Sequence, residues 1–99
     1  MVFVKVAKAN ELAPGKAKEV SANGIAIALY NVNGEFFATT GICPHKGGPL
    51  GEGYLDRETV TCPLHGWMFD VKTGKGLTAP VQIRTYPVKV AGDDVLIDI

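Results

Sequence analysis

The chain has 99 residues, enough for one compact domain, and its ten Lys and Arg residues balance ten Asp and Glu residues. Zero net charge argues against a nucleic-acid partner or a basic membrane-binding module, since both need clustered positive charge. The longest apolar run, residues 25–30, is too short to span a bilayer, and two cysteines exclude a dense disulfide framework. Because no secretory signal pattern opens the sequence, we expect a cytoplasmic protein. We expect its residues 1–99 to form a single domain.

Hydrophobic residues alternate with a period of two in the first part of the chain, which predicts β-strands. The predicted strands are residues 1–6, 16–21, 25–30 and 35–40. Residues 10–14 allow at most one helical turn, because Pro14 and Gly15 end it. Residues 25–30 are apolar on both faces, so we place this strand in the centre of a sheet.

Turn signals and a C-terminal strand pair complete this pattern. Asn23-Gly24 and Asn33-Gly34 favour tight turns, because both residue types tolerate positive φ. Residues 84–90 and 95–99 are predicted to pair around Gly92. Several short strands with regular turns predict an all-β fold, an antiparallel sandwich or barrel.

The middle of the chain has a different composition. Residues 41–81 contain eight of the twelve glycines, four of the six prolines, both cysteines, both histidines and the single tryptophan. This shift predicts a loop-rich subdomain inserted into the β scaffold. Binding and catalytic residues are often carried by such loops, so we expect the function to lie here.

Two short clusters contain every cysteine and histidine of the protein. They are Cys43-Pro44-His45 and Cys62-Pro63-Leu64-His65, with sixteen residues between His45 and Cys62. Thiolates are soft donors that suit iron in a sulfide cluster, and neutral imidazole also suits iron. Two facing loops of this kind could supply two sulfurs to one iron and two nitrogens to another. Such a ligand set is typical of a Rieske [2Fe–2S] centre.

The sequence resembles the Rieske family through CPHKGGPL at residues 43–50 and CPLHGWMFD at residues 62–70. In that family, two cysteines bind the buried iron and two histidines bind the iron near the surface. The resemblance implies that Cys43 and Cys62 hold the inner iron, and that His45 and His65 hold the outer iron. It also implies antiparallel sheets with a small cluster-binding subdomain, about residues 41–81, and one-electron transfer.

High-potential members of the family carry a second cysteine in each loop, paired as a disulfide, and two hydroxyls aimed at the cluster. The matching positions here are Gly48 and Leu64 for the disulfide, and Trp67 and Phe69 for the hydroxyls. Hydrogen bonds to sulfur raise the potential. Without those hydroxyls we expect a potential in the low part of the Rieske range, which is about −150 to +300 mV.

These departures make the chain look like the ferredoxins that serve bacterial aromatic-ring oxygenases. The resemblance implies a monomeric, non-catalytic carrier that docks transiently with a ferredoxin reductase and a terminal oxygenase. We expect the docking patch to be flat and mainly apolar, and to contain His45, Gly47, Pro49, Leu64, His65 and Pro80.

Residues beside the ligands have predicted supporting roles. Gly47, Gly48 and Gly66 stand where the backbone must turn sharply near the cluster. Pro49 and Pro80 are expected to stiffen covering loops, the second of them in a candidate third loop at residues 76–80. Lys46 is placed to tune docking or to remain solvated, and Trp67 to exclude water from the cluster.

Two alternatives stay open at this point. The chain could be the small Rieske subunit of a nitrite-reductase-like enzyme with several components. It could also be a zinc-stapled interaction module, although zinc fingers pair like ligands and each cluster here mixes one cysteine with one histidine. A Cys–His nucleophile would account for only one of the two clusters.

Overall fold

The computed structural model describes residues 2–44, 47–64 and 66–99. Over these ranges the regular structure is formed by strands and two short 3-10 helices, Ala9–Glu11 and Leu50–Glu52. The strands are β1 (Phe3–Lys8), β2 (Ala17–Ala22), β3 (Ile25–Val32), β4 (Glu35–Thr40), β5 (Tyr54–Asp56), β6 (Thr59–Thr61), β7 (Met68–Asp70), β8 (Thr85–Tyr86), β9 (Val88–Ala91) and β10 (Asp94–Asp98). No helix in the described part of the chain has the length and hydropathy needed to cross a membrane.

The strands form three antiparallel sheets. Their orders are β1-β10-β9, β2-β3-β4-β8 and β5-β6-β7. The predicted all-β, antiparallel fold is therefore confirmed. The third sheet lies within residues 41–81, where the sequence indicated loops and no strand was assigned. Its strands have three residues each, too few for alternation to be recognised in the sequence.

Strand β3 is the element that joins the two hydrophobic cores. Ile27 and Leu29 point into a first core, whereas Ala28 and Tyr30 point into a second. Because successive side chains of a strand face opposite sides, a strand between two cores must be apolar on both faces. The central position predicted for this strand is confirmed, and β3 pairs with both β2 and β4.

The predicted turns are also confirmed. Asn23 and Gly24 have φ of 52° and 77°, and Asn33 and Gly34 have φ of 55° and 97°. These left-handed conformations suit a two-residue hairpin between twisted strands. The tight turns fix the registers of β2 on β3 and of β3 on β4.

The prediction of a single strand over residues 84–90 was wrong. Pro87 divides this segment into β8, which pairs with β4, and β9, which pairs with β10. Proline has no N–H group to donate to a ladder and its φ is fixed, so the chain leaves one sheet and enters another at this residue. Val95 and Ile97 are fully buried on the same face of β10.

Candidate metal centre

The first cysteine lies at the start of a tight loop that follows β4. The Cys43 N–H donates to the carbonyl of Gly48 at 2.8 Å, and the Gly47 N–H donates to the carbonyl of Cys43 at 2.9 Å. Gly47 has a φ of 72°, a conformation that costs glycine little. A short bridge between Ile42 and Pro49 closes the base of the loop.

The second cysteine begins a loop of the same design between β6 and β7. The Cys62 N–H donates to the carbonyl of Trp67 at 2.7 Å, and Gly66 has a φ of 73°. In both loops, therefore, the cysteine N–H bonds to the carbonyl five residues later, and a left-handed glycine stands four residues later. The two loops present their cysteines in equivalent backbone positions.

Both cysteine side chains are buried side by side. Cys43 and Cys62 are each 1% exposed, and both are free cysteines. They belong to the second core, together with Ala28, Tyr30, Leu50, Val60, Phe69, Val71 and Ile83. The structure therefore brings together the two predicted sulfur ligands, 19 positions apart in the sequence, in a buried and mainly apolar environment.

Burial and neighbouring groups shift the pKa of the Cys62 thiol, some upward and one downward. Burial raises the pKa of the Cys62 thiol most strongly. The backbone N–H of Leu64 donates to this sulfur and lowers the pKa, while the neighbouring Cys43 side chain raises it again. A positive metal ion between the two thiols would favour the deprotonated forms, because thiolates are the metal-binding species.

The other predicted ligands, His45 and His65, and the neighbouring Lys46 lie outside the described residues. Their assigned roles remain predictions. Within the described ranges no group of three or more His, Cys, Asp or Glu side chains converges, so the structure positions the sulfur half of the predicted ligand set.

The two residues that match the disulfide of high-potential relatives do face each other. An ideal Cβ built on Gly48 would lie 3.2 Å from both Cβ and Cγ of Leu64. Gly48 is buried, whereas Leu64 is 44% exposed. The two loops therefore meet at this glycine and leucine, and a disulfide is absent because neither residue carries sulfur.

Trp67 and the candidate third loop lie beside the second cysteine loop. Trp67 is half-buried against the second core, with its ring centroid 6.5 Å from that of Phe69. In the third loop, the Leu77 N–H donates to the carbonyl of Met68, and the Thr78 hydroxyl accepts from the Met68 N–H. The loop is thus attached one residue after Trp67. Pro80 is exposed, and its covering role remains a prediction.

Sequence reasoning missed the equivalence of the two loops. It grouped Gly47, Gly48 and Gly66 together, although Gly47 and Gly66 are needed for their φ and Gly48 is not. A signal was present, since both clusters have the spacing Cys-x-x-x-Gly. The different spacing of Cys to His in the two clusters concealed it.

Comparison with known proteins identifies the family. The Rieske [2Fe-2S] domain matches residues 2–87 of this chain. The biphenyl dioxygenase ferredoxin subunit of Pseudomonas sp. (strain KKS102) is 43% identical over 101 aligned positions, which cover 99% of this chain and 93% of that protein. The chain therefore belongs to the Rieske [2Fe-2S] domain family.

Solved structures agree with this assignment. Sphingomonas yanoikuyae B1 ferredoxin superposes with a TM-score of 0.90 at 33% identity, over 99% of both chains. A chain from a complex of reduced oxygenase and oxidized ferredoxin in carbazole 1,9a-dioxygenase superposes with a TM-score of 0.89 at 33% identity, over 97% of this chain and 92% of that one.

The cofactor of this family is a [2Fe–2S] cluster, and the described residues fit its sulfur-ligated side. Two adjacent thiols suit one iron of such a cluster. Their apolar surroundings exclude water, and the Leu64 N–H already donates to one of the sulfurs. Zinc fingers pair like ligands, whereas each of these clusters contains one cysteine and one histidine. The family match excludes the zinc-module alternative.

Proposed function

We propose that this protein is the ferredoxin component of an aromatic-ring dioxygenase system, carrying single electrons from a ferredoxin reductase to a terminal oxygenase. The observation that carries the proposal is the pair of buried, adjacent cysteines in two equivalent loops. The relatives named as ferredoxin subunits of biphenyl and naphthalene dioxygenases support the choice of system. Such a carrier does not itself bind the aromatic substrate.

Cys43 and Cys62 would hold the inner iron, and His45 and His65 the outer iron. When bound, the cluster supplies one-electron redox chemistry at low potential. The protein's contribution is to bind and shield. The second core keeps water from the sulfurs, and the Leu64 N–H stabilises negative charge on Cys62. The segment of about residues 41–81, which holds both loops, is the proposed cluster-binding subdomain.

Docking is proposed to use the loops around the ligands. Leu64, Gly47 and Pro80 are exposed and Pro49 is half-buried, which supports a docking patch of mainly apolar residues. Weak, transient complexes have small interfaces, and a carrier must leave one partner before it meets the next. We propose that the protein acts as a monomer in the cytoplasm, where free cysteines persist.

Reconstitution tests this function. The purified chain should restore product formation to a mixture of reductase and terminal oxygenase from a biphenyl dioxygenase system that lacks its own ferredoxin. The His45→Ala and His65→Ala variants should fail, because each removes an iron ligand. Full activity in either variant, or stable co-purification of the chain with a large nitrite-reductase-like subunit, would contradict the proposal.

A further inference from the structure

Gly48 lies directly against the sulfur of the second loop. It is buried, and an ideal Cβ built on its backbone would lie 2.7 Å from Cys62 Sγ. Side-chain carbons do not approach other heavy atoms this closely in packed proteins, where carbon contacts lie near 3.5–4.0 Å. Any side chain at residue 48 would therefore have to displace either the sulfur or the loop.

The requirement for glycine at this position is steric. Gly48 does not have a left-handed φ, so its backbone conformation is open to other residues. Gly47 and Gly66 are the opposite case. Their φ values are 72° and 73°, and among the described residues no atom beyond their chain neighbours lies within 4 Å of an added Cβ. Glycine at those two positions satisfies the turn, whereas glycine at residue 48 makes room for sulfur.

Gly48 also connects the two cysteines. Its carbonyl accepts the Cys43 N–H at 2.8 Å, and its Cα side faces Cys62 Sγ. The loops are closer here than a disulfide would place them, since half-cystine Cβ atoms are about 3.5–4.5 Å apart and the built Cβ lies 3.2 Å from Leu64 Cβ. Gly48 thus holds the backbone of Cys43 through a hydrogen bond and leaves room for the sulfur of Cys62.

We propose that Gly48 is a positioning residue for the cluster, which sets the location of the Cys62 sulfur relative to Cys43 by the absence of a side chain. The inference rests on cluster binding, as the proposed function does, and is independent of which partners exchange electrons. It predicts that adding one methyl group at residue 48 changes the electronic signature of the cluster.

The test compares Gly48→Ala with Gly92→Ala, which lies in the turn between β9 and β10, both purified anaerobically with their clusters. Gly48→Ala should shift the EPR g-values of the reduced state and the visible circular dichroism, or lower the iron and acid-labile sulfide content, while far-UV circular dichroism shows a folded chain. Gly92→Ala would have a strained φ, since Gly92 has a φ of 62°, and open space around the added Cβ. It should lower the thermal unfolding midpoint and keep the wild-type spectrum per bound cluster.

A Gly48→Ala protein with the wild-type spectrum and content would overturn the inference, as would an equal change in Gly92→Ala. If Gly48→Ala does not fold, Leu64→Gly is added, which removes both Leu64 contacts and leaves the contact with Cys62 Sγ. A wild-type spectrum in the double variant would overturn the inference, and a spectrum that differs from that of Leu64→Gly alone would support it. A wild-type chain without iron and sulfide would overturn the proposed function as well.

Discussion

Tyr30 shows how a single buried polar group is accommodated in the second core. Its side chain is fully buried, and its hydroxyl lies 2.8 Å from Thr39 Oγ1. Thr39 in turn donates its only hydroxyl proton to the carbonyl of Thr40. Tyr30 is therefore the donor to Thr39, and the two hydroxyls form a short directed chain inside the core.

Because Tyr30 is the donor, substitutions at Thr39 and at Tyr30 should lower the free energy of unfolding by different amounts. Thr39→Val removes the acceptor and leaves the Tyr30 hydroxyl buried without a partner, which should cost about 1–3 kcal/mol of the free energy of unfolding. Tyr30→Phe removes the donor and leaves Thr39 bonded to Thr40, so it should cost about 1 kcal/mol. Urea unfolding of both variants measures the difference, and an equal or reversed order would contradict the assigned direction.

The same tyrosine predicts a loss of stability in alkaline solution. Burial raises the pKa of Tyr30 well above its usual value of 10.0, and the bond with Thr39 opposes this only in part. The pKa of Tyr30 is higher in the folded state than in the unfolded state. The contribution of protonated Tyr30 to the free energy of unfolding is therefore complete below about pH 10. It declines at higher pH, where the unfolded chain ionises and the folded chain does not. Urea midpoints between pH 8 and 11 should fall more steeply for the wild type than for Tyr30→Phe. Parallel curves would contradict the prediction.

At the scale of elements, the contact between the 3-10 helix Leu50–Glu52 and strand β2 joins the first cysteine loop to the scaffold. Gly51 is buried there, and an added Cβ would lie 2.5 Å from the backbone nitrogen of Glu19 and 2.8 Å from the carbonyl carbon of Lys18. Two backbones can approach this closely only because residue 51 has no side chain.

Gly51→Ala should therefore be strongly destabilising, by about 3 kcal/mol or more, since rigid backbone cannot move aside for the methyl group. Gly15→Ala is the matched control, because Gly15 has a φ of 82° and open space around an added Cβ. The control should cost only the conformational strain, about 1–2 kcal/mol. Thermal unfolding midpoints compare the two, and a milder effect at residue 51 would contradict the packing described.

The elements differ in how far their sequences specify them. Strand β4 matches its predicted range, residues 35–40, because alternation and the Asn33-Gly34 turn are local signals. The division at Pro87 depends on which sheet each half joins, a choice made by distant partners. Likewise, the two ligand clusters were visible in the sequence as residue types, but the contact of Gly48 with Cys62 arises from the meeting of two loops.

At the scale of the whole molecule, the positive and negative charges balance, so we expect apolar contact to be the main source of affinity for partners. Leu64→Glu should lower the rate constant for electron transfer to the oxygenase by about tenfold or more, since a carboxylate would lose water in the interface without a partner. Val90→Glu is the control. Val90 is 47% exposed, close to the 44% of Leu64, and lies on β9, in a sheet without a cysteine loop.

Stopped-flow mixing of the reduced variants with oxygenase measures this difference. Both variants should retain the wild-type iron content, which separates docking from cluster assembly. Equal slowing of the two variants would show that the cysteine loops are not the docking surface.

The central claim is that both cysteines and both histidines bind one [2Fe–2S] cluster. Anaerobic purification followed by metal and sulfide analysis, with EPR of the reduced state, tests it most directly. We predict two irons and two acid-labile sulfides per chain, with a reduced-state EPR signal that disappears in His45→Ala and His65→Ala. A colourless protein that holds one zinc and no sulfide would contradict the account.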